Sequence, residues 1–245
     1  MSSPSVTTGV DLAASPRRTA ACVVRWDADR VFVARVEPAV DDDAFGSLLD
    51  DLPPGGKLGL DCPLGWPAAF VSALRAHQER APWPLRGSAG RSELLWRATD
   101  RWLGERCRRW PLSVSTDRIG VTALRAAYLL DRWEASGAGR VDRAGLTGPV
   151  VEVYPAAARR VWGLGATRSV EELEAKLNVQ FADSGTRRTC ESNEHAFDAL
   201  VAAFVARAAA LFRTHRPPAE LAAVAAVEGW IHLPACSLED LTDAV

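Results

Sequence analysis

Lysine is nearly absent from this chain: Lys57 and Lys176 are its only two, although lysine and arginine together number 29. The cations are therefore almost all guanidinium groups, which stay charged and grip carboxylate or phosphate in a planar fork. Cysteine is sparse too. Cys22, Cys62, Cys107, Cys190 and Cys236 are odd in number and far apart, without the paired spacing that grips zinc or closes a small disulfide scaffold. A reducing cytoplasm is the compartment this implies. No stretch approaches the roughly 20 apolar residues of a membrane helix, and no basic start leads into an apolar leader segment. Secretion and membrane insertion are therefore not expected. A Gly-x-Ser-x-Gly elbow, a P-loop and a dinucleotide fingerprint are also missing, which argues against serine hydrolases and the common nucleotide-loop enzymes.

What is present suffices for a substantial core, with 245 residues and 48% hydrophobic composition. The net charge of −2 argues against a protein that coats nucleic acid over its whole surface, but residues 71–118 are locally basic. There Arg75, Arg80, Arg86, Arg91, Arg97, Arg101, Arg106, Arg108, Arg109 and Arg118 alternate with Trp83, Trp96, Trp102 and Trp110. Interleaved guanidinium groups and flat rings suit phosphate contacts and base stacking. The plainer alternative is an amphipathic layer with tryptophans in the core and arginines in water.

Residues 6–12, 19–26 and 31–37 read as a three-strand meander with turn-like SPRR and DADR between them. The acidic stretch 41–43 opens a short helix through Asp50, PPGG resets the chain, and KLGLD at 57–61 is a short buried strand. Apolar residues then recur at helical spacing, so residues 67–140 form a helical insertion. VVEVY at 150–154 is a strand stopped by Pro155, and 156–162 and 170–181 are helices. HAFDALVAAFVARAAALF is apolar nearly all round and so buried, and EGWIHLP is a short terminal strand or turn. The expectation is one α/β domain over 1–245, a mixed sheet flanked by helices.

Three aspartates stand out because each is the lone carboxylate of an apolar stretch: Asp11 ends the first strand, Asp61 ends KLGLD, and Asp198 interrupts HAFDALVAAFVARAAALF. A charged carboxylate left unpaired in a core costs several kcal/mol, so such residues face a cleft or meet a cation. Three together suggest a cluster for a hard cation such as Mg²⁺. Each also has a structural alternative: a turn cap for Asp11, a loop hydrogen bond for Asp61, and a buried arginine partner for Asp198. Glu194 and His195 precede Asp198 by four and three residues and can share its helix face. Glu152, in VEVYP, is a further catalytic candidate. Arg97, Asp100 and Arg101 lie one turn apart, so the two arginines form a candidate phosphate grip with Asp100 fixing one of them. Cys62, beside Asp61, is a small buried thiol before it is a nucleophile.

The order of these elements resembles the ribonuclease H-like fold. The closer resemblance is to domain-of-unknown-function family 429, described as predicted ribonuclease H-like nucleases. GVDLAAS, GLDCPLGWP, RATDR with VEVYPAAA, and HAFDALVAAFVARAA followed by EGWIHLP carry it, from Gly9 to about Pro234. HAFDALVAA is also similar to the last catalytic helix of Holliday-junction resolvases. The resemblance implies Asp11, Asp61 and Asp198 as ligands of Mg²⁺ or Mn²⁺, with His195 as a helper, in phosphodiester hydrolysis. In that chemistry two ions ~3.5–4 Å apart neutralise phosphoryl charge and activate water. Asp11 then bridges them, Asp61 and Asp198 hold one each, and His195 or Glu194 orients the water, with Glu194 a further ligand candidate. Trp66 and Tyr154, in the motifs of Asp61 and Glu152, are candidates for substrate contact. The expected partner is nucleic acid or a nucleotide-like phosphate, and a homodimer stays open. Two other readings stand: an actin-like or sugar-kinase phosphotransferase, which lacks its second phosphate loop here, and a non-catalytic nucleic-acid-binding or scaffold protein.

Overall fold

The computed structural model describes residues 5–242 apart from 28–29, 86, 108–109 and 166. The meander forms as expected: β1 (Val6–Asp11), β2 (Ala20–Trp26) and β3 (Val31–Glu37) pair antiparallel in sequence order. Asp41 accepts the Ala44 N–H and so caps α1 (Asp42–Asp50), after which β4 (Lys57–Asp61) runs parallel to β1. The helical segment then supplies α2 (Ala68–Gln78), α3 (Gly87–Leu95), α4 (Ala98–Cys107) and α5 (Ile119–Trp133) before the chain returns to the sheet. β5 (Val150–Glu152) lies parallel to β4, and Pro155 opens α6 (Pro155–Val161), where its missing N–H costs nothing.

One expectation fails in the next segment. Residues 170–181 are not a single helix: α7 (Val170–Lys176) stops at Leu177, whose backbone is extended, and Val179–Phe181 becomes β6. These three residues add to the open edge of β3 in parallel register, and Asn178 accepts the Val31 N–H. The edge pairing outweighs local helical periodicity. The polar helix α8 (Ser184–Ser192), capped by Asp183, precedes the long α9 (Glu194–Ala210). The short β7 (Thr214–His215), α10 (Ala222–Glu228) and β8 (Leu233–Pro234) complete the described chain, with β7 and β8 pairing antiparallel. No helix among the described residues is long and apolar enough to cross a membrane.

The main sheet has the order β5-β4-β1-β2-β3-β6, and only β2 runs against the others. α9 covers one face. A Cβ on Gly9 would sit 2.0 Å from the Ala199 carbonyl oxygen and one on Gly59 would sit 2.4 Å from that of Ala202. The helix therefore lies directly on the sheet backbone, and Thr7 Oγ1 donates to the Ala203 carbonyl at 2.9 Å. This contact explains both the alanine-rich helix and the two glycines. On the opposite face Val10, Leu58 and Leu60 pack with Phe45, Leu48 and Leu49 of α1 and Ala126, Leu129 and Leu130 of α5. Successive strand residues alternate faces, so Gly9 and Asp11 of β1, and Gly59 and Asp61 of β4, all project toward α9.

Candidate functional site

In the parallel ladder Asp11 is the register partner of Asp61, so the two carboxylates leave adjacent strand ends on the same face. α9 brings its first two turns over this end. His195 Nδ1 lies 2.7 Å from Asp11 Oδ2, and Asp198 follows one turn later on the helix. The Asn193 side chain accepts the His195 and Ala196 N–H groups and so anchors the start of the helix. Arg125 of α5 steadies the loop after Asp11, donating to the Ala13 carbonyl at 2.7 Å and the Thr19 hydroxyl at 2.6 Å.

The electrostatics are those of crowded acids. Burial raises Asp11 from an ordinary 3.8 to about 6; His195 and Arg168 oppose the rise, and Asp198 adds to it. Asp61 is held well above the usual carboxylate range by burial first, then by Asp11, Asp198 and Glu152. Among the described residues no group donates a hydrogen bond to the Asp61 carboxylate and no cation pairs with it. Asp198 has cations. Arg168, in the loop before α7, donates to its Oδ2 from two nitrogens at 2.6 and 3.1 Å, and Arg159 of α6 stands 3.8 Å from its Oδ1. Asp198 Oδ1 is nonetheless buried without a hydrogen-bond partner. Sequence reasoning allowed Asp198 an arginine partner but named neither Arg159 nor Arg168. Both lie between β5 and α7, a stretch without a motif to mark them.

Glu194, offered as a ligand, is 59% exposed and meets Arg168 at 3.3 Å, so of the two neighbours on α9 it is His195 that reaches the aspartates. Glu152 does not join them. Its register partner is Leu60, which faces away from α9, so Glu152 lies on the other side of the sheet. There it takes Arg97 in a two-pronged ion pair at 2.6 and 2.8 Å and accepts the Leu64 N–H at 3.0 Å.

The expected phosphate grip is corrected on the same evidence. Arg97 and Asp100 are each 1% exposed, locked together with Glu152 where no substrate reaches. Glu228 completes the weld by accepting the Ala68 and Ala98 N–H groups at the starts of α2 and α4, both at 2.7 Å. Arg101 donates to the Trp96 carbonyl at 2.6 Å. Trp66 is partly buried against the core of β1 and β4, and Tyr154 is partly buried at the start of α6.

Elsewhere in the insertion, Arg75, Arg80, Arg91, Arg106 and Arg118 face solvent, while Trp102 is buried and Trp83 and Trp110 are exposed. Arg86, Arg108 and Arg109 lie outside the described residues. No insertion arginine among the described residues bonds to the three aspartates; their cations come from Arg168 and Arg159. Cys62 is buried and its thiol is pushed up by burial and by Glu152 and Asp61, which suits packing and not attack.

Among the described residues no three His, Cys, Asp or Glu side chains are gathered closely enough to hold a metal ion by themselves. What fits is a smaller donor set. Asp11 and Asp61 are paired in register, with no donor or cation on Asp61 among the described residues, which suits Mg²⁺: one or two carboxylates, with water and substrate oxygens completing the shell. No curated protein and no solved structure matches the chain. The match to the family model described as Protein of unknown function (DUF429) runs over residues 9–223, and the chain belongs to that family.

Proposed function

We propose that the protein is a divalent-metal-dependent phosphodiester hydrolase, acting on nucleic acid or a nucleotide-like phosphate through Asp11 and Asp61. The observation that carries this reading is the register pairing of two strand-end carboxylates, one of them without a donor or a cation among the described residues. The strand order, with a single antiparallel strand beside the central one, supports a ribonuclease H-like reading of the sheet. Mg²⁺ or Mn²⁺ held by Asp11 and Asp61 would supply neutralisation of phosphoryl charge and acidification of water.

The chain's own residues account for the rest. His195 keeps one ring nitrogen on Asp11, which orients the imidazole and leaves the other nitrogen to accept a proton from water. Arg168, 36% exposed, is the cation best placed to meet a phosphate oxygen, since only exposed or partly buried acids hold it. Asp198 holds Arg168 in that position in the ligand-free protein. This division of labour replaces the expectation of three carboxylate ligands and two ions.

The test is cleavage of end-labelled single-stranded, duplex and junction oligonucleotides and of a bis-nitrophenyl phosphodiester, with Mg²⁺ or Mn²⁺ and with chelator. Metal-dependent turnover that Asp61→Asn abolishes supports the reading. Binding without turnover by a folded, metal-loaded protein would favour the scaffold alternative.

A further inference from the structure

At the opposite end of β4 and α9 from the aspartates lies a cavity of about 700 Å³, within the range of small-molecule sites. Its walls are mainly apolar, including Leu52, Leu146, Pro149 and Phe212, and Lys57 is the cation that lines it. Lys57 Nζ donates to the Gly148 carbonyl at 2.7 Å, and no carboxylate among the described residues lies within ion-pair distance of it. Arg216 sits against the Phe212 ring, 5.0 Å from its centroid, and has no ion pair among the described residues.

One acid, Asp50, also lines the cavity, and Asp142 lies near Lys57. Asp50 takes the Trp133 indole N–H, and Asp142 accepts three bonds from Ala144 and Thr147. Neither carboxylate pairs with Lys57 or Arg216 among the described residues, so the two cations keep donors for an incoming acceptor.

Phe212 gives an independent sign that the site is built. α9 ends in a Schellman motif: the Phe212 N–H bonds to Ala209 and the Arg213 N–H bonds to Ala208. The residue at that turn takes a left-handed backbone, a position glycine fills at least cost, yet here a phenylalanine holds φ +58 with 64% of its surface exposed. Neither backbone preference nor burial explains a large ring there. A role as a wall of the cavity does.

We propose that this cavity binds a small amphipathic carboxylate, its apolar body against Leu52, Pro149 and Phe212 and its anionic head on Lys57 beside Arg216. The proposal is independent of the chemistry at Asp11 and Asp61, which close β1 and β4 at the other end of the sheet.

Isothermal titration of octanoate, 1-octanol and acetate into the wild type, Lys57→Met and Phe212→Gly tests it. One octanoate per chain is expected, with octanol and acetate weaker by about tenfold or more. Lys57→Met should weaken octanoate and leave octanol unchanged. Phe212→Gly should weaken octanoate while the ligand-free melting temperature stays level or rises, because glycine relieves the left-handed turn. That pairing separates loss of a binding wall from loss of fold, and keeps the test sound if Lys57→Met folds poorly. Octanol binding as tightly as octanoate, octanoate binding unchanged in both variants, or no binding by the wild type would each overturn the proposal.

Discussion

Removing one negative charge from the acidic site should stabilise the metal-free protein, and Asp11→Asn is the substitution that shows it. Burial raises Asp11 from 3.8 to about 6, so ionising it costs the folded state about 3 kcal/mol relative to the unfolded chain once the pH exceeds 6. The sign follows from the raised value: the contribution to stability is fully present below about pH 3.8 and is lost as pH rises through about 6. Asparagine keeps an oxygen for His195, and the value of about 6 already includes the charge-assisted bond that the substitution gives up. The net is about 3 kcal/mol in favour of the variant at pH 7.5, or roughly 6–12 °C in melting temperature for a chain of this size.

The wild-type pH profile alone would hide this. His232 is buried, lies 2.8 Å from Thr214 and 3.0 Å from the Ala144 carbonyl, and is pushed down to about 4. Its contribution runs the other way over nearly the same window: present above pH 6.5 and lost as pH falls through about 4. The assay is thermal unfolding in chelator at pH 7.5 and pH 4, for wild type and variant. A stability gain at pH 7.5 that vanishes at pH 4 is the expected result. If Asp11→Asn is destabilised equally at both, the crowded-acid reasoning is wrong.

Other expectations follow from the same contacts. His232→Asn should be less stable than wild type at pH 7.5, and denaturant titrations should show the gap closing toward pH 4. Arg97→Met leaves Asp100 and Glu152 buried without their cation, so calorimetry should register a loss of about 3–5 kcal/mol that added Mg²⁺ does not change. Gly59→Ala places a methyl 2.4 Å from the Ala202 carbonyl and must lift α9 off the sheet, costing about 1–3 kcal/mol by urea unfolding. Arg168→Ala should move stability by no more than about 1 kcal/mol, because that pair is partly exposed, while reducing any phosphodiester turnover through KM.

Much of the fold was legible because local chemistry and tertiary structure agree. The meander and β4 are apolar or β-branched runs between turn residues, and α9 is apolar on all sides because it is buried on all sides. β6 was not legible, since three residues become a strand only when the β3 edge is there to receive them. α8 has little apolar content, with Cys190 its one buried residue, and its capping Asp183 is the signal that marks its start.

In the site, Asp11, Asp61 and Asp198 could be found as lone carboxylates in apolar stretches, and His195 by its helical spacing from Asp198. The faces of other residues could not be found that way. Arg97, Asp100 and Glu152 have the composition of a phosphate site, but the Leu60–Glu152 register turns them into the opposite layer. Arg168 reaches Asp198 across 30 residues from a loop with no periodicity, so its role depends on the path of the chain.

Mn²⁺ binding followed by electron paramagnetic resonance addresses the central claim most directly, because it needs no substrate. Wild type should remove free Mn²⁺ from solution, Asp11→Asn and Asp61→Asn should each abolish that uptake while remaining folded, and Glu194→Gln should leave it unchanged. Uptake that survives in Asp61→Asn, or no uptake by folded wild type, would contradict a cation site on these two strand ends.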